Sequence, residues 1–398
     1  TLCEEQRNAV EMALRFRLSL ILGGAGSGKS TLIQAIVNAL GDENTTVLCA
    51  PTGKAARNLT NRTGLTARTV HSALGLHANE DFLAPVRWET VDLVIVDEAS
   101  MLTLEMMAGI LHRVPASCRV VLLGDPNQLL SVGAGNVLPD LLELGAPCYR
   151  LLCNHRQANA PSSLLHNVVN FHNLQSCCAL RYDDNFRLIN TERERIKEAV
   201  IAEAVARYSA GESVQVLSPF NQVTDLSVAE LNHAIRDTVN PMTPQCLSIS
   251  LGTNHFRQGD RVMITKNDRE RDCSNGDIGV LHISRAHKTD AVFSVHLPDG
   301  RCPQWEGNKH LINLTLAYAL TIHKSQGSEY DTVLLSITCD MQRMLSRNLF
   351  YTAISRAKKQ VLLFGDPSAV DTAMTKLLPP RRSNLVAKTR MQLFQRVG

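Results

Sequence analysis

Short apolar runs separated by amphipathic stretches set the pattern of the first part of this chain. Residues 18–22 (LSLIL), 46–50 (TVLCA), 92–96 (DLVIV) and 119–123 (RVVLL) are brief and nearly continuous in apolar character, as expected of strands buried on both faces of a parallel sheet. Residues 1–17 read as an amphipathic helix with Val10, Met12, Ala13 and Leu14 on or near its buried side, and residues 30–40 read as a second helix. This alternation predicts one doubly wound α/β domain over residues 1–147, with room for a short hairpin at about 76–91. A second alternation starts with a strand near residue 149, helices at 162–174 and 192–208, and a strand at 214–217. It resumes after residue 312 with a strand at 332–337, a helix at 348–358 and a last strand at 360–364. The second domain is therefore expected over 148–245 and 312–398.

Residues 246–311 break the pattern. Short alternating strands at 261–265, 279–283 and 291–297 are punctuated by Gly259-Asp260, Asn275-Gly276-Asp277 and Asp299-Gly300, which are turn signals. The expectation is a small all-β insertion in the second domain, closed into a barrel.

The first strand runs into GGAGSGKST, and a helix follows directly. A glycine-rich turn in that position lets backbone N–H groups converge on phosphate oxygens, assisted by the positive end of the helix. Gly24, Ala25, Gly26, Ser27, Gly28, Lys29, Ser30 and Thr31 are thus candidate nucleotide ligands, with Lys29 reaching the β and γ phosphates of ATP and Ser30 taking a position on Mg2+. Strand 92–96 ends in Asp97-Glu98, at the edge where open α/β sheets bind ligands. Asp97 is a candidate Mg2+ holder and Glu98 the candidate to orient or deprotonate the attacking water. Strand 119–123 leads to Gly124-Asp125-Pro126-Asn127-Gln128, and the Gln128 amide can bond both a γ-phosphate oxygen and water. From the second domain, Arg156 and Arg356 are candidates to stabilise charge on the γ phosphate, with the nucleotide held in a cleft between the domains. Closing on ATP and opening after hydrolysis would make a motor.

Composition changes little in this picture. At 398 residues, 44% hydrophobic and 20% charged, the chain has the make-up of a globular protein with more than one core. No apolar stretch approaches a membrane span and no signal-peptide pattern begins the sequence, so the expected compartment is cytosolic with no membrane partner. The 11 cysteines include no C-x-x-C pair and read as free thiols. A net charge of +3 does not by itself imply a polyanionic partner, although Arg381, Arg382, Lys388 and Arg390 make the tail basic.

The ordered set GGAGSGKST, APTGKAA, RTVHSALG, VIVDEAS, LLGDPNQL, NHRQ, YALTIHKSQGSEYDTV and LFYTAISRAKK resembles the motifs of superfamily 1, class B helicases, and within it the RecD-like DNA helicases. GDPNQLLSVGAGNVLPDLL, VQVLSPF followed by LNHAIRDTVNP, and MLSRNLFYTAISRAKK carry the resemblance furthest. It implies two RecA-like P-loop domains, a small β-barrel inserted in the second, and an ATP-driven motor moving 5′ to 3′ on single-stranded DNA and separating duplex ahead of it. It further implies that Gln6 reads adenine and that Gln128 couples γ phosphate to DNA. Gly327 and Glu329 would touch nucleotide from the second domain. Thr52, Gly53, Thr69, His71, Thr321 and His323 would hold the nucleic-acid backbone. Expected partners are single-stranded DNA and single/double-strand junctions. Gln6 stands near the start of this sequence, whereas longer family members carry a sizeable region before it, so a protein partner or such a region is a further expectation. Two other readings stay open: an RNA-acting motor of the same superfamily, and a nucleotide-switched binding subunit that never unwinds.

Overall fold

The computed structural model describes residues 2–24, 26–40, 45–76, 88–152, 162–379, 381 and 383–390, with the side chain of His172 aside. They divide into two units. Unit 1 holds residues 1–161, 168–172 and 377–398, and unit 2 holds 162–167 and 173–376.

Unit 1 runs α1 (Glu4–Arg15), β1 (Leu18–Gly23), α2 (Lys29–Leu40), β2 (Thr46–Ala50), α3 (Gly53–Thr63), β3 (Ala67–Thr69), α4 (Val70–Ala73), β4 (Leu93–Val96), α5 (Leu104–Arg113), β5 (Arg119–Gly124), α6 (Val137–Glu143) and β6 (Cys148–Leu151). Its six strands are all parallel, in the order β3-β2-β4-β5-β1-β6. Alternate residues feed two cores. Leu20, Leu22, Val94, Val96, Val120 and Leu122 pack on one face, and Ile21, Ile95, Val121 and Leu123 on the other. Burial on both faces explains why these strands carry so few polar residues. The helices start on side-chain caps: Thr52 Oγ1 accepts the Ala55 N–H (3.2 Å) and Thr103 Oγ1 the Met106 N–H (3.2 Å). Gly64 ends α3 in the left-handed region, at φ 74°.

The expected boundary at residue 148 does not hold in this arrangement. β6 pairs with β1, Leu20 to Gly23 against Cys148 to Leu151, and is the sixth strand of the first sheet. A short apolar strand reads the same whichever parallel sheet it joins, so its sequence could not assign it. The possible hairpin at 76–91 lies largely outside the described residues.

Unit 2 begins at Ser162, takes in the first part of α7 (Ser163–Val169) and continues with β7 (Phe186–Ile189), α8 (Arg193–Ser209), β8 (Val214–Ser218) and α9 (Val228–Val239). After the β-rich segment come β16 (Ala319–Thr321), β17 (Tyr330–Ile337), α10 (Arg347–Ile354), β18 (Ala357–Gly365) and α11 (Pro367–Thr375). These strands form a second parallel sheet, β16-β8-β17-β18-β7. The helix expected to reach residue 358 stops at Ile354, because strand pairing with β17 already begins at Ala357.

Between them, β9 (Ser248–Leu251) and β10 (Asn254–Arg257) make a hairpin. β11 (Arg261–Ile264), β12 (Ile278–Arg285), β13 (Val292–His296), β14 (Gln304–Glu306) and β15 (Leu314–Leu316) make an antiparallel sheet. Its order is β14-β13-β12-β11-β15, and among the described residues no pairing joins the two outer strands. These are the pairings of an open sheet rather than of the closed ring expected for 246–311. An in/out alternation specifies one buried face in either case, so it could not tell them apart. The last strand also lies past residue 311.

Candidate nucleotide site and nucleic-acid edges

Every sequence-predicted residue of unit 1 that follows a strand stands at the C-terminal edge of the parallel sheet. β1 delivers the phosphate loop, its neighbour β5 delivers Gln128, and β4, on the far side of β5, delivers the Asp97-Glu98 pair. Gly26 (φ 82°) and Gly28 (φ 79°) are left-handed, the conformation that turns successive N–H groups inward. At Gly23 a Cβ would stand 2.4 Å from Ser27 Oγ, so the strand end has no room for one. Ser27 Oγ donates to Gly24 O (2.9 Å), which closes the turn. Lys29 opens α2, and its Nζ donates to Gly23 O (2.6 Å) and Gly24 O (2.9 Å). The ammonium is thus folded over the loop, where a phosphate would replace those carbonyls as its acceptor. Ser30 is half-buried and Thr31 exposed beside it. Ala25 lies outside the described residues.

Asp97 follows β4, its N–H donating to Cys49 O (3.0 Å) and its Oδ1 accepting the Glu98 N–H (2.9 Å). Burial, and next the Glu98 carboxylate, push the Asp97 carboxyl up to about 6, while Lys29 and Arg62 pull it back. A divalent cation relieves that strain by keeping the carboxylate ionised. One carboxylate with the Ser30 hydroxyl leaves most of an octahedral shell to phosphate and water, which is how Mg2+ is commonly held. The donor set therefore fits Mg2+, and among the described residues no ready-made cation cage of three His, Cys, Asp or Glu exists. Glu98 itself is left-handed, at φ 53° and ψ 40°. A non-glycine residue there stores strain, a feature that gathers at working sites.

Gln128 is 2% exposed, and its turn is fixed by Asp125, which accepts the Gln128 N–H through its carbonyl (3.1 Å) and the Asn127 N–H through its carboxylate (3.0 Å). Gln6 is also buried, and its Oε1 accepts the Cys3 N–H (3.1 Å) at the start of α1. Thr52 and Thr69 cap α3 and α4 at the ends of β2 and β3, with Gly53 the first residue of α3 and His71 exposed in α4. Their hydroxyl oxygens already accept N–H groups, which leaves the O–H to donate.

In unit 2 the predicted residues separate into two groups. Thr321 ends β16, its Oγ1 accepting the Lys324 N–H (3.2 Å), and half-buried His323 follows. Burial lowers the His323 pKa, so this imidazole is neutral near pH 7 and acts through hydrogen bonds rather than charge. Gly327, Glu329 and Arg356 lie instead before β17 and β18, at the N-terminal edge of the same sheet. Arg356 is 3% exposed, and its guanidinium donates to Thr352 O (3.1 Å), Ser328 O (3.3 Å) and Ser355 Oγ (3.0 Å). Its own carbonyl accepts the Tyr330 N–H (2.9 Å). Arg156 lies outside the described residues.

Residues 1–175 match the AAA domain family, residues 231–296 the ATP-dependent RecD-like DNA helicase SH3 domain, and residues 316–364 the UvrD-like helicase C-terminal domain. The RecBCD enzyme subunit RecD of Mycolicibacterium smegmatis is 30% identical over 93% of this chain and 72% of its own. The chain belongs to the RecD-like family of superfamily 1 DNA helicases. The ATP-dependent RecD2 DNA helicase of Deinococcus radiodurans is 35% identical over 98% of this chain, which spans about half (52%) of that relative's length. The fold is shared with a Bacteroides Pif1 solved bound to single-stranded DNA, at 18% identity and a TM-score of 0.60 over 100% of this chain and 97% of that one.

Within this RecD-like chain the structure adds residues that motif reading passed over. Asp125 shapes the turn that presents Gln128, and its position inside GDPNQ was the available signal. Ser328, Thr352 and Ser355 hold the Arg356 guanidinium, and their proximity in sequence to GSE and SRA marks them only in hindsight. Arg62, near the end of α3, acts on Asp97 by charge, and nothing in its sequence context announces that.

Proposed function

We propose that this RecD-like chain hydrolyses ATP with Mg2+ to move 5′ to 3′ along single-stranded DNA and to separate duplex at single/double-strand junctions. The observation that carries this reading is the convergence of Lys29, Asp97, Glu98 and Gln128 at one edge of one parallel sheet, on a chain that also carries a second such sheet with Arg356. Family membership supports ATP and DNA as substrates, since the relatives' names specify an ATP-dependent DNA helicase and a RecD subunit.

The roles follow from chemistry. The loop N–H groups from Gly24 to Thr31 and Lys29 bind the phosphates, and Gln6 contacts the adenine edge. Ser30 and Asp97 would hold Mg2+, which supplies charge neutralisation at the β and γ oxygens. Glu98 takes the proton from, or orients, the attacking water. Gln128 senses whether the γ phosphate is present. Arg356, with Gly327 and Glu329, contributes from the second RecA-like domain, and Arg156, which falls in unit 1, joins it in meeting the charge that develops on the transferred phosphoryl group. Thr52, Gly53, Thr69, His71, Thr321 and His323 contact the DNA backbone through hydroxyls, N–H groups and imidazoles. Such contacts track phosphate and sugar rather than sequence. The open antiparallel sheet from β11 to β15 takes the part of the SH3 domain whose family model matches residues 231–296. Among the described residues no helix is long and apolar enough to cross a membrane, and the proposed site of action is the cytoplasm.

The test is ATP turnover with single-stranded DNA and with RNA of equal length, followed by displacement on duplexes tailed at either end. DNA-selective stimulation with displacement only from 5′ tails supports the reading. Stronger stimulation by RNA replaces the substrate, and turnover without displacement on any tail replaces the unwinding step with a nucleotide-switched clamp.

A further inference from the structure

Residues 377–390 continue from α11, the last helix of unit 2, yet belong to unit 1. Their principal hold is Arg381. Its Nη1 donates to Ser131 Oγ (3.2 Å), Gly133 O (2.9 Å) and Gly135 O (3.3 Å), and its Nη2 donates to Ser131 O (2.5 Å). Three main-chain carbonyls of one loop thus converge on one guanidinium. Further along, Val386 is buried and Arg390 lies 3.5 Å from Glu143 on α6, a pair with both partners more than half exposed.

The loop in question, residues 131–135, begins three residues after Gln128 and ends at the start of α6. Its tip is open to solvent, with Val132 86% exposed. Its other side rests on the start of α5: the Leu104 N–H donates to Ala134 O (3.0 Å), and a Cβ on Gly133 would stand 2.5 Å from Thr103 Cγ2. Thr103 and Leu104 are reached from Glu98 through one turn of 3-10 helix, Ala99–Met101. The loop is therefore held between Arg381 and the segment that carries Glu98, and it is also the direct continuation of the turn that carries Gln128. A planar guanidinium can serve several carbonyls at once, which a lysine ammonium, a point charge on a flexible stem, does less well.

We propose that Arg381 is a positioning residue for ATP hydrolysis, fixing loop 131–135 and through it the relative placement of Glu98 and Gln128. The proposal rests on the assignment of those two residues to hydrolysis given above. It makes the last segment of the chain part of the catalytic support of the first unit.

The test compares Arg381→Ala, Arg381→Lys and Arg390→Ala in the full chain. Hydrogen exchange is read at residues 131–136 and at the start of α5. For Arg381→Ala the expected result is exchange about tenfold faster there, with the core strands unchanged. Its affinity for a fluorescent ADP analogue should stay within about twofold, while DNA-stimulated kcat falls about tenfold or more with KM for ATP little moved. Arg381→Lys should lie between, and Arg390→Ala should match the parent. Unchanged exchange at 131–136, a uniform rise across the core, or a kcat within about twofold of the parent overturns the proposal. A parent that shows no DNA stimulation would sink the motor reading instead. The exchange result and the unstimulated kcat would then still decide the role of Arg381.

Discussion

Glu98 carries two separable burdens, and substitution can split them. Its backbone is left-handed (φ 53°, ψ 40°), which costs a residue with a Cβ about 1–2 kcal/mol. Glycine removes that cost but adds about 0.5–1 kcal/mol of unfolded-chain entropy, so Glu98→Gly should gain about 0.5–1 kcal/mol from the backbone alone. Its carboxylate also repels Asp97, whose pKa it helps to raise. Glu98→Gln removes this repulsion and leaves the backbone as it was. The difference between the two variants therefore isolates the strain. Both should bind ATP and both should lose about a hundredfold or more in turnover, the usual scale for a general base. Urea midpoints give the stabilities, and ATP turnover with single-stranded DNA gives the rates. If Glu98→Gly proves less stable than Glu98→Gln, the strain argument is wrong. Turnover by Glu98→Gln near the parent rate would remove Glu98 from the water-activating role.

Lys29→Ala removes the charge meant for the phosphates and the two loop hydrogen bonds, and should lower ATP turnover at least about a hundredfold; hydrolysis that survives would refute the phosphate-loop assignment. Gly365→Ala places a Cβ 1.8 Å from Ile337 O in the β17–β18 pairing, backbone against backbone, and should cost about 3 kcal/mol or more in urea unfolding; an unchanged midpoint would mean the strands do not pair in this register. Asp260 is fully buried and burial raises its pKa above the ordinary 3.8, so the stability it contributes is fully present below that value and is lost as pH rises through the raised one. Asp260→Asn should flatten the pH dependence of the thermal midpoint in the range above pH 3.8 where the raised carboxyl titrates, and an unaltered slope there would exclude Asp260 as its source.

The first sheet was legible because strands buried on both faces must be nearly continuous in apolar residues, and the loops after them carry glycine, carboxylate and amide in fixed order. Lys29, Asp97, Glu98 and Gln128 were for that reason found in place at one edge. Pairing between distant segments was less legible. Cys148–Leu151 could have joined either parallel sheet, and only its register with β1 assigns it. The tail read only as a run of basic residues, whereas Arg381 donates to a loop about 250 positions away. Charge composition records that a guanidinium is present and carries no trace of its partner. The same limit applies to Arg356, whose motif announced a role at the nucleotide but not the hydrogen bonds that bury it.

Those hydrogen bonds bear on how the proposed motor transmits its stroke. Thr321 pairs with Ser218 while Leu335 pairs with Leu217, so Thr321 stands level with Ser336, about 20 Å along the strand direction from Tyr330. The proposed DNA contacts of unit 2 therefore sit at one edge of its sheet and the proposed nucleotide contacts at the other. Residues 322–329 run between the two edges, and Ser325, Gln326 and Ser328 along that path are buried. At the far end Arg356 donates to Ser328 O, so a guanidinium drawn toward a γ phosphate must release or carry this loop. At the near end Asn232 pins the start of β16, its Nδ2 donating to Ala319 O (3.0 Å) and its Oδ1 accepting the Ala319 N–H (2.8 Å). A largely buried segment anchored to a strand at one end and, at the other, to the arginine proposed to meet the nucleotide is a short, stiff link. It gives the proposed ATP chemistry a physical route to the proposed phosphodiester contacts at Thr321 and His323 without any need for the sheet itself to deform.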